Sequence, residues 1–116
     1  MDSQMIKNRT KNFAVRVIKL INALPNNTAG KVISYQLGKS GTSVGANYRA
    51  SCRARSDKEF IAKLGVVLEE ADESAFWLEL IIESELLSES LVRPLQKEAD
   101  ELCAIFYSSI RSAKSQ

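Results

Sequence analysis

Arg49, Arg53, Arg55 and Lys58 crowd four cations into one short stretch, and the first two stand at i and i+4, neighbours on one face of a helix. Lys31 and Tyr35 fall on nearly the same helical face further back. Like charges at this spacing repel by about 0.2–0.5 kcal/mol, a cost that an anion removes. One suitable anion is the phosphate backbone of RNA or DNA, held by arginine with Tyr35 as a stacking surface. Lys39, Lys58 and the bases of the N-terminal stretch would extend that contact. The other is a carboxylate, and the chain offers Glu69, Glu70, Asp72 and Glu73, within one copy or across subunits. Ion pairing is the preferred expectation and nucleic acid the alternative, because a pI near 8.6 is low for a dedicated nucleic-acid domain.

Other chemistry finds little footing. The run Glu69-Glu70-Ala71-Asp72-Glu73 suggests paired carboxylates, but at 100° per residue these side chains fan around an exposed side rather than converge. The chain has no histidine, which removes His-based acid/base catalysis and the Glu-x-x-His pairs of di-iron bundles. Cys52 and Cys103 form no CxxC pair and read as reduced packing residues. Gly41 and Gly45 form a GxxxG spacing, yet no strand precedes them and no Gly-Lys-Ser/Thr follows, so they carry no phosphate loop. The expectation is a non-enzyme with no catalytic residue, cofactor, metal or small-molecule substrate.

The charge is divided along the chain. Residues 1–55 carry ten Lys/Arg and one acid, a net +9, whereas residues 56–116 carry six Lys/Arg and 13 acids, a net −7. Such polarity points to a charged partner, either nucleic acid or another copy. The length of 116 residues, with 45% hydrophobic and 26% charged, suits a single domain over residues 1–116. No apolar run is long enough for a membrane span and the first residues lack a signal-peptide core, so a cytoplasmic location is expected.

Helical periodicity positions these residues. Phe13, Val17, Leu20, Ile21 and Leu24 predict a first helix over about 10–24, ended by Pro25-Asn26-Asn27. A second, over about 29–53, places Ile33, Leu37, Gly41, Val44, Tyr48 and Cys52 on one face. It contains Gly38, Gly41 and Gly45, each costing about 1 kcal/mol relative to alanine. Either close approach to another helix compensates, or the helix breaks near Gly38–Gly41. Ser56-Asp57-Lys58-Glu59 reads as a capping box for the third helix, whose stripe is Phe60, Leu64, Val67, Leu68, Ala71, Ala75, Leu78 and Ile82. Val66 and Trp77 lie off that stripe, close to each other in angle, and predict a second buried surface. After a turn over 84–88, with Ser88 or Ser90 as cap, the fourth helix carries Leu91, Leu95, Ala99, Leu102, Ile105, Phe106 and Ser109, with Pro94 near its first turn. Asn47, at the edge of the core face, would need a partner and fix register. Short connections make an all-α, antiparallel up-down-up-down four-helix bundle.

The stretch over residues 42–82 resembles a bacterial four-helix-bundle family first noticed in proteins encoded by intervening sequences of large-subunit ribosomal RNA genes. The residues that carry the resemblance are Ser43, Gly45, Ala46, Asn47, Arg53, Ser56, Phe60 and the acidic-apolar segment from Glu69 to Leu80. Where many relatives have Glu-Gly after the Asn, this chain has Tyr48-Arg49-Ala50. The resemblance implies a bundle assembling into a homo-oligomeric ring, commonly a pentamer. A more distant branch, the accessory variability determinant proteins of diversity-generating retroelements, implies nucleic acid and a reverse transcriptase as partners.

Val66, Glu70, Glu73 and Trp77 are accordingly the expected oligomer interface. The function expected is self-assembly, with a nucleic-acid-binding accessory role as the alternative.

Overall fold

In the computed structural model, which describes residues 2–116, four helices follow one another: α1 (Ser3–Ile21), α2 (Thr28–Cys52), α3 (Asp57–Glu83) and α4 (Glu89–Lys114). Links this short fold each helix back along the last. α2 packs on α1 and α3, and α4 packs closely on α3 but sparsely on α1. The result is an up-down-up-down four-helix bundle 47 Å long and 20 × 19 Å across.

Capping chemistry sets the helix ends. Asp2 accepts a hydrogen bond from the Met5 amide, Asn27 from Gly30 and Ser56 from Glu59. Glu59 reaches back as a capping box requires, but to the Arg55 amide at 3.2 Å. Ser88 holds the N-cap position of α4 without a side-chain cap bond. α1 starts at Ser3, well before the expected Thr10, because the Asp2 cap launches it and Ile6 lengthens its buried stripe. Thr10 is fully buried there, its hydroxyl donating to the Ile6 carbonyl at 2.9 Å. The helix closes at Ile21 instead of Leu24, since Ala23 and Leu24 turn back onto Leu20 and Ile21.

α2 is continuous, and the break considered near Gly38–Gly41 does not form. Gly38, Gly41 and Gly45 all face α1. A Cβ at Gly41 would stand 2.8 and 2.9 Å from the two Val17 methyls, one at Gly38 3.2 Å from Ile21 Cδ1, and one at Gly45 3.2 Å from Thr10 Oγ1. Close approach of α1 therefore offsets the poor helix propensity of the three glycines.

The core follows the predicted stripes with two local departures. Phe13, Val17, Leu37, Val44, Leu64, Val67, Leu78, Leu102 and Phe106 are fully buried. The Tyr48 and Phe106 rings meet at 5.8 Å. Leu91, expected in the core, is 53% exposed while Val92 is buried in its place, so the stripe of α4 enters one residue later. Ile81 is fully buried where Ile82 was expected and is only partly so. Pro94 sits at the sixth position of α4, just beyond its first turn.

Asn47 does not set register between helices: its Nδ2 donates to the Ser43 carbonyl of its own helix at 2.9 Å. The polar tie between α2 and α3 is instead the buried pair Ser40–Ser74, with hydroxyl oxygens 2.9 Å apart. Cys52 and Cys103 are free and half-buried against the core. Among the described residues, no helix is long and apolar enough to cross a membrane.

Candidate functional site

Antiparallel packing of α1 on α2 lays the start of α1 beside the end of α2. Gln4, Lys7, Asn8, Lys11, Arg49 and Arg53 line a groove of about 390 Å³ at that end. It continues into a recess of about 180 Å³ lined by the small residues Thr10, Ala14, Thr42, Gly45 and Ala46. The glycine-mediated approach of the helices is what brings Lys7 and Lys11 onto Arg49. Among the described residues, none of these four cations has an ion-pair partner.

The expected cluster is thus partly assembled and partly dispersed. Arg49 and Arg53 stay together and gain Lys7 and Lys11 from α1. That contribution is hidden in the sequence, because it depends on how α1 registers against α2. Arg55 turns to Glu59, 3.8 Å away in a solvated i,i+4 pair, and Lys58 is exposed on the first turn of α3. Lys31 and Tyr35 are not in the cluster: 18 positions separate Lys31 from Arg49, about 27 Å along α2 at 1.5 Å per residue. The pairing of Arg49 or Arg53 with Glu69, Glu70, Asp72 or Glu73 expected within one copy does not form. One base of the first half does cross to α4. Arg9 grips Glu98 at 2.7 Å and Glu101 at 2.9 Å, which raises its pKa chiefly through the Glu98 hydrogen bond.

The acidic counterpart lies on the outer side of α3, where Glu69, Glu70 and Glu73 alternate with Val66, Phe76 and Trp77. Among the described residues these acids also lack an ion-pair partner. Burial pushes the Glu70 carboxyl up from 4.5, repulsion by Glu73 adds to this, and Lys39 opposes it. Within one copy, Trp77 is partly buried and Val66 is exposed. That indole packs partly against the core and donates to Glu73 at 3.2 Å, while Val66 is 43% exposed. Phe76, missed in the sequence, is the exposed aromatic of this side and meets Trp77 edge-on at 5.1 Å. The α1–α2 side bears half-exposed Val15, Ile18, Val32 and Tyr35 beside Lys31 and Lys39. Among the described residues, no cluster of His, Cys, Asp and Glu is placed to hold a metal ion.

A family profile described as 23S rRNA-intervening sequence protein matches residues 2–108. The chain belongs to that family. It is also similar to the crystal structure of a protein of unknown function from the S23 ribosomal protein family of Bacteroides thetaiotaomicron VPI-5482. The two share 35% identity and a TM-score of 0.87 over 96% of this chain and 99% of that one. No match was found among curated proteins. In this intervening-sequence family member, the residues shared with the resemblance serve the fold visibly: Gly45 admits α1 together with Gly41, Ser56 caps α3, and Phe60 packs partly against the core.

Proposed function

We propose that this protein is a non-enzymatic assembly module whose copies dock the basic α1–α2 side onto the acidic side of α3. The observation that carries the reading is the uncompensated polarity of the fold. A chain with +9 in its first half and −7 in its second leaves Lys31 and Lys39 on the outer α1–α2 side, and Glu69, Glu70 and Glu73 on α3, without an ion-pair partner among the described residues. Unlike faces make a heterologous contact, and the two sides adjoin each other across α2. Faces that meet at an angle turn each copy against the last, so a heterologous contact closes into a ring where that turn divides a full rotation. Five is the number implied by the family resemblance. Free cysteines suit the reducing cytoplasm.

Light scattering across a salt series tests this reading. Oligomers are expected at low salt and smaller species near 1 M salt, where charges are screened beyond about 3 Å. A monomer at micromolar concentration and low salt refutes it.

The groove at the end of the bundle favours a second, compatible role: binding the phosphate backbone of RNA or DNA. Four unpaired cations converge there beside two side-chain amides, and a ring repeats the groove so that weak contacts add. Retention of a labelled RNA should fall steeply with salt, and Arg49→Glu with Arg53→Glu should abolish it. Unchanged retention in that variant excludes the groove.

A further inference from the structure

We infer that the contact between copies is made by two strips standing at the same height on the bundle, Val15, Ile18, Tyr35 and Lys39 on one copy and Glu69, Glu70, Glu73, Phe76 and Trp77 on the next. This rests on the assembly proposed above and names the surfaces that carry it.

Two contacts set the heights. The Ser40–Ser74 hydroxyl pair levels α2 with α3, and Val17 against Gly41 levels α1 with α2. At 1.5 Å per residue, Lys39 and Ile18 lie within about 2 Å of that level. Val15 lies about 5 Å below it, toward the α2–α3 turn, and Tyr35 about 8 Å above. On α3, Glu73, Phe76 and Trp77 lie within about 5 Å of the level, with Glu70 and Glu69 about 6 and 8 Å below. The first strip thus sets three exposed apolar side chains about one cation, Lys39, and the second sets Phe76 and Trp77 among three glutamates, of which Glu70 also feels Lys39 of its own copy. Val15, Ile18 and Tyr35 are 43%, 48% and 66% exposed and Phe76 50%.

The same measure excludes the end groove from the contact. Lys11, Arg49, Lys7 and Arg53 lie about 11, 14, 17 and 20 Å below the level. At that height α3 presents Ile61, Ala62, Lys63 and Gly65, and no acid occurs from Phe60 to Leu68. Copies standing side by side join through the middle of the bundle and leave the cationic groove open at one end. The second copy is the occupant that charge and height both select.

The test uses aspartate at half-exposed positions, where the fold tolerates it. Ile18→Asp and Phe76→Asp should each reduce the assembly to monomer by light scattering, weakening association about 10- to 100-fold. Leu91→Asp and Tyr107→Asp, similarly exposed but off the strips, should leave it intact. Each Ile18→Asp copy keeps an intact α3 strip and each Phe76→Asp copy an intact α1–α2 strip, so an equimolar mixture should form heterodimers. Where an aspartate variant loses its cooperative melt, Ile18→Ser or Phe76→Ser replaces it with the same expectation. A monomeric wild type overturns the assembly itself. An assembled wild type indifferent to Ile18→Asp and Phe76→Asp, or dissociated by Leu91→Asp, overturns the strips alone. A mixture that stays monomeric overturns the heterologous pairing.

Discussion

The tight approach of α1 to α2 is also the one that builds the basic groove, and Gly41→Ala tests it. Alanine in a helix interior stabilises by about 1 kcal/mol relative to glycine. At Gly65, where nothing stands within 4 Å of an added Cβ, that gain should appear undiminished, raising Tm by about 4 °C for a chain of this size. At Gly41 the new methyl would meet both Val17 methyls at 2.8 and 2.9 Å, against the roughly 3.5–4.0 Å of a comfortable carbon contact. Val17 is fully buried and β-branched, so it has essentially one rotamer and cannot swing both methyls aside. α1 must therefore move out, an overpacking cost of about 1–3 kcal/mol. Relative to Gly65→Ala, which keeps the whole propensity gain, Gly41→Ala should thus be about 1–3 kcal/mol less stable. Urea denaturation at one fixed protein concentration reads the difference, since assembly makes stability concentration-dependent. Adding Val17→Ala to Gly41→Ala should recover part of the loss, a favourable coupling of about 0.5–3 kcal/mol. Equal stabilisation by Gly41→Ala and Gly65→Ala would refute the close approach.

Three further outcomes are expected. Ser74→Ala alone should cost about 0.5–1.5 kcal/mol by removing the tie, since Ser40 keeps its bond to the Leu37 carbonyl, whereas Ser40→Ala with Ser74→Ala should be nearly neutral in the same urea assay. Burial, then Asp72 and Asp100, raise the Cys103 thiol from 9.0 to about 11. Folded protein at pH 8 should thus carry about one thiolate in a thousand at Cys103 and alkylate there about a hundredfold more slowly than the unfolded chain. Because the folded state keeps the Cys103 proton that the unfolded state releases, this site's contribution to stability is full below pH 9 and lost as pH rises toward 11. Glu70, whose pKa is raised by burial and by Glu73, takes up its proton earlier than an ordinary carboxylate as pH falls. If its charge meets the next copy, light scattering should show assembly weakening on acidification from above pH 4.5, and Glu70→Gln should remove that part of the pH dependence.

Periodicity carried most of the fold because the core is built from stripes that a helix repeats faithfully. Phe13, Leu37, Leu64 and Leu102 are buried where their spacing requires. Errors gathered at helix ends, where one side chain decides. Asp2 starts α1 earlier than the apolar pattern alone implies, and one position of phase exchanges Leu91 for Val92. The basic groove was half legible. Arg49 and Arg53 share a helix face by arithmetic, but Lys7 and Lys11 reach them only through packing that Gly41 and Gly45 permit. Phe76 was legible by angle, since at 100° per residue it stands about 160° from Leu78 and points away from the core stripe, but an apolar residue there gave no sign of what would cover it.

The fold itself explains why the charge polarity is left unspent within one copy. Antiparallel order sets α2 beside α3, yet Arg49 turns toward α1, Lys39 acts on Glu70 without forming an ion pair among the described residues, and Glu69 and Glu73 stand outward. Arg9 crosses to α4 and Arg55 pairs only locally with Glu59. A surface ion pair is worth about 0–1 kcal/mol, so stability of the single bundle gives little reason to keep such faces apart. Between copies the same charges act differently. They penalise like faces, favour unlike ones and fix the orientation of docking, a contribution to specificity more than to affinity. Affinity then falls to the apolar members of each strip, Ile18 and Tyr35 against Phe76. Salt alone should therefore loosen the assembly without dissolving it as completely as Phe76→Asp. If high salt proves the stronger perturbation, charge supplies the affinity as well, and the apolar strips only exclude water from it.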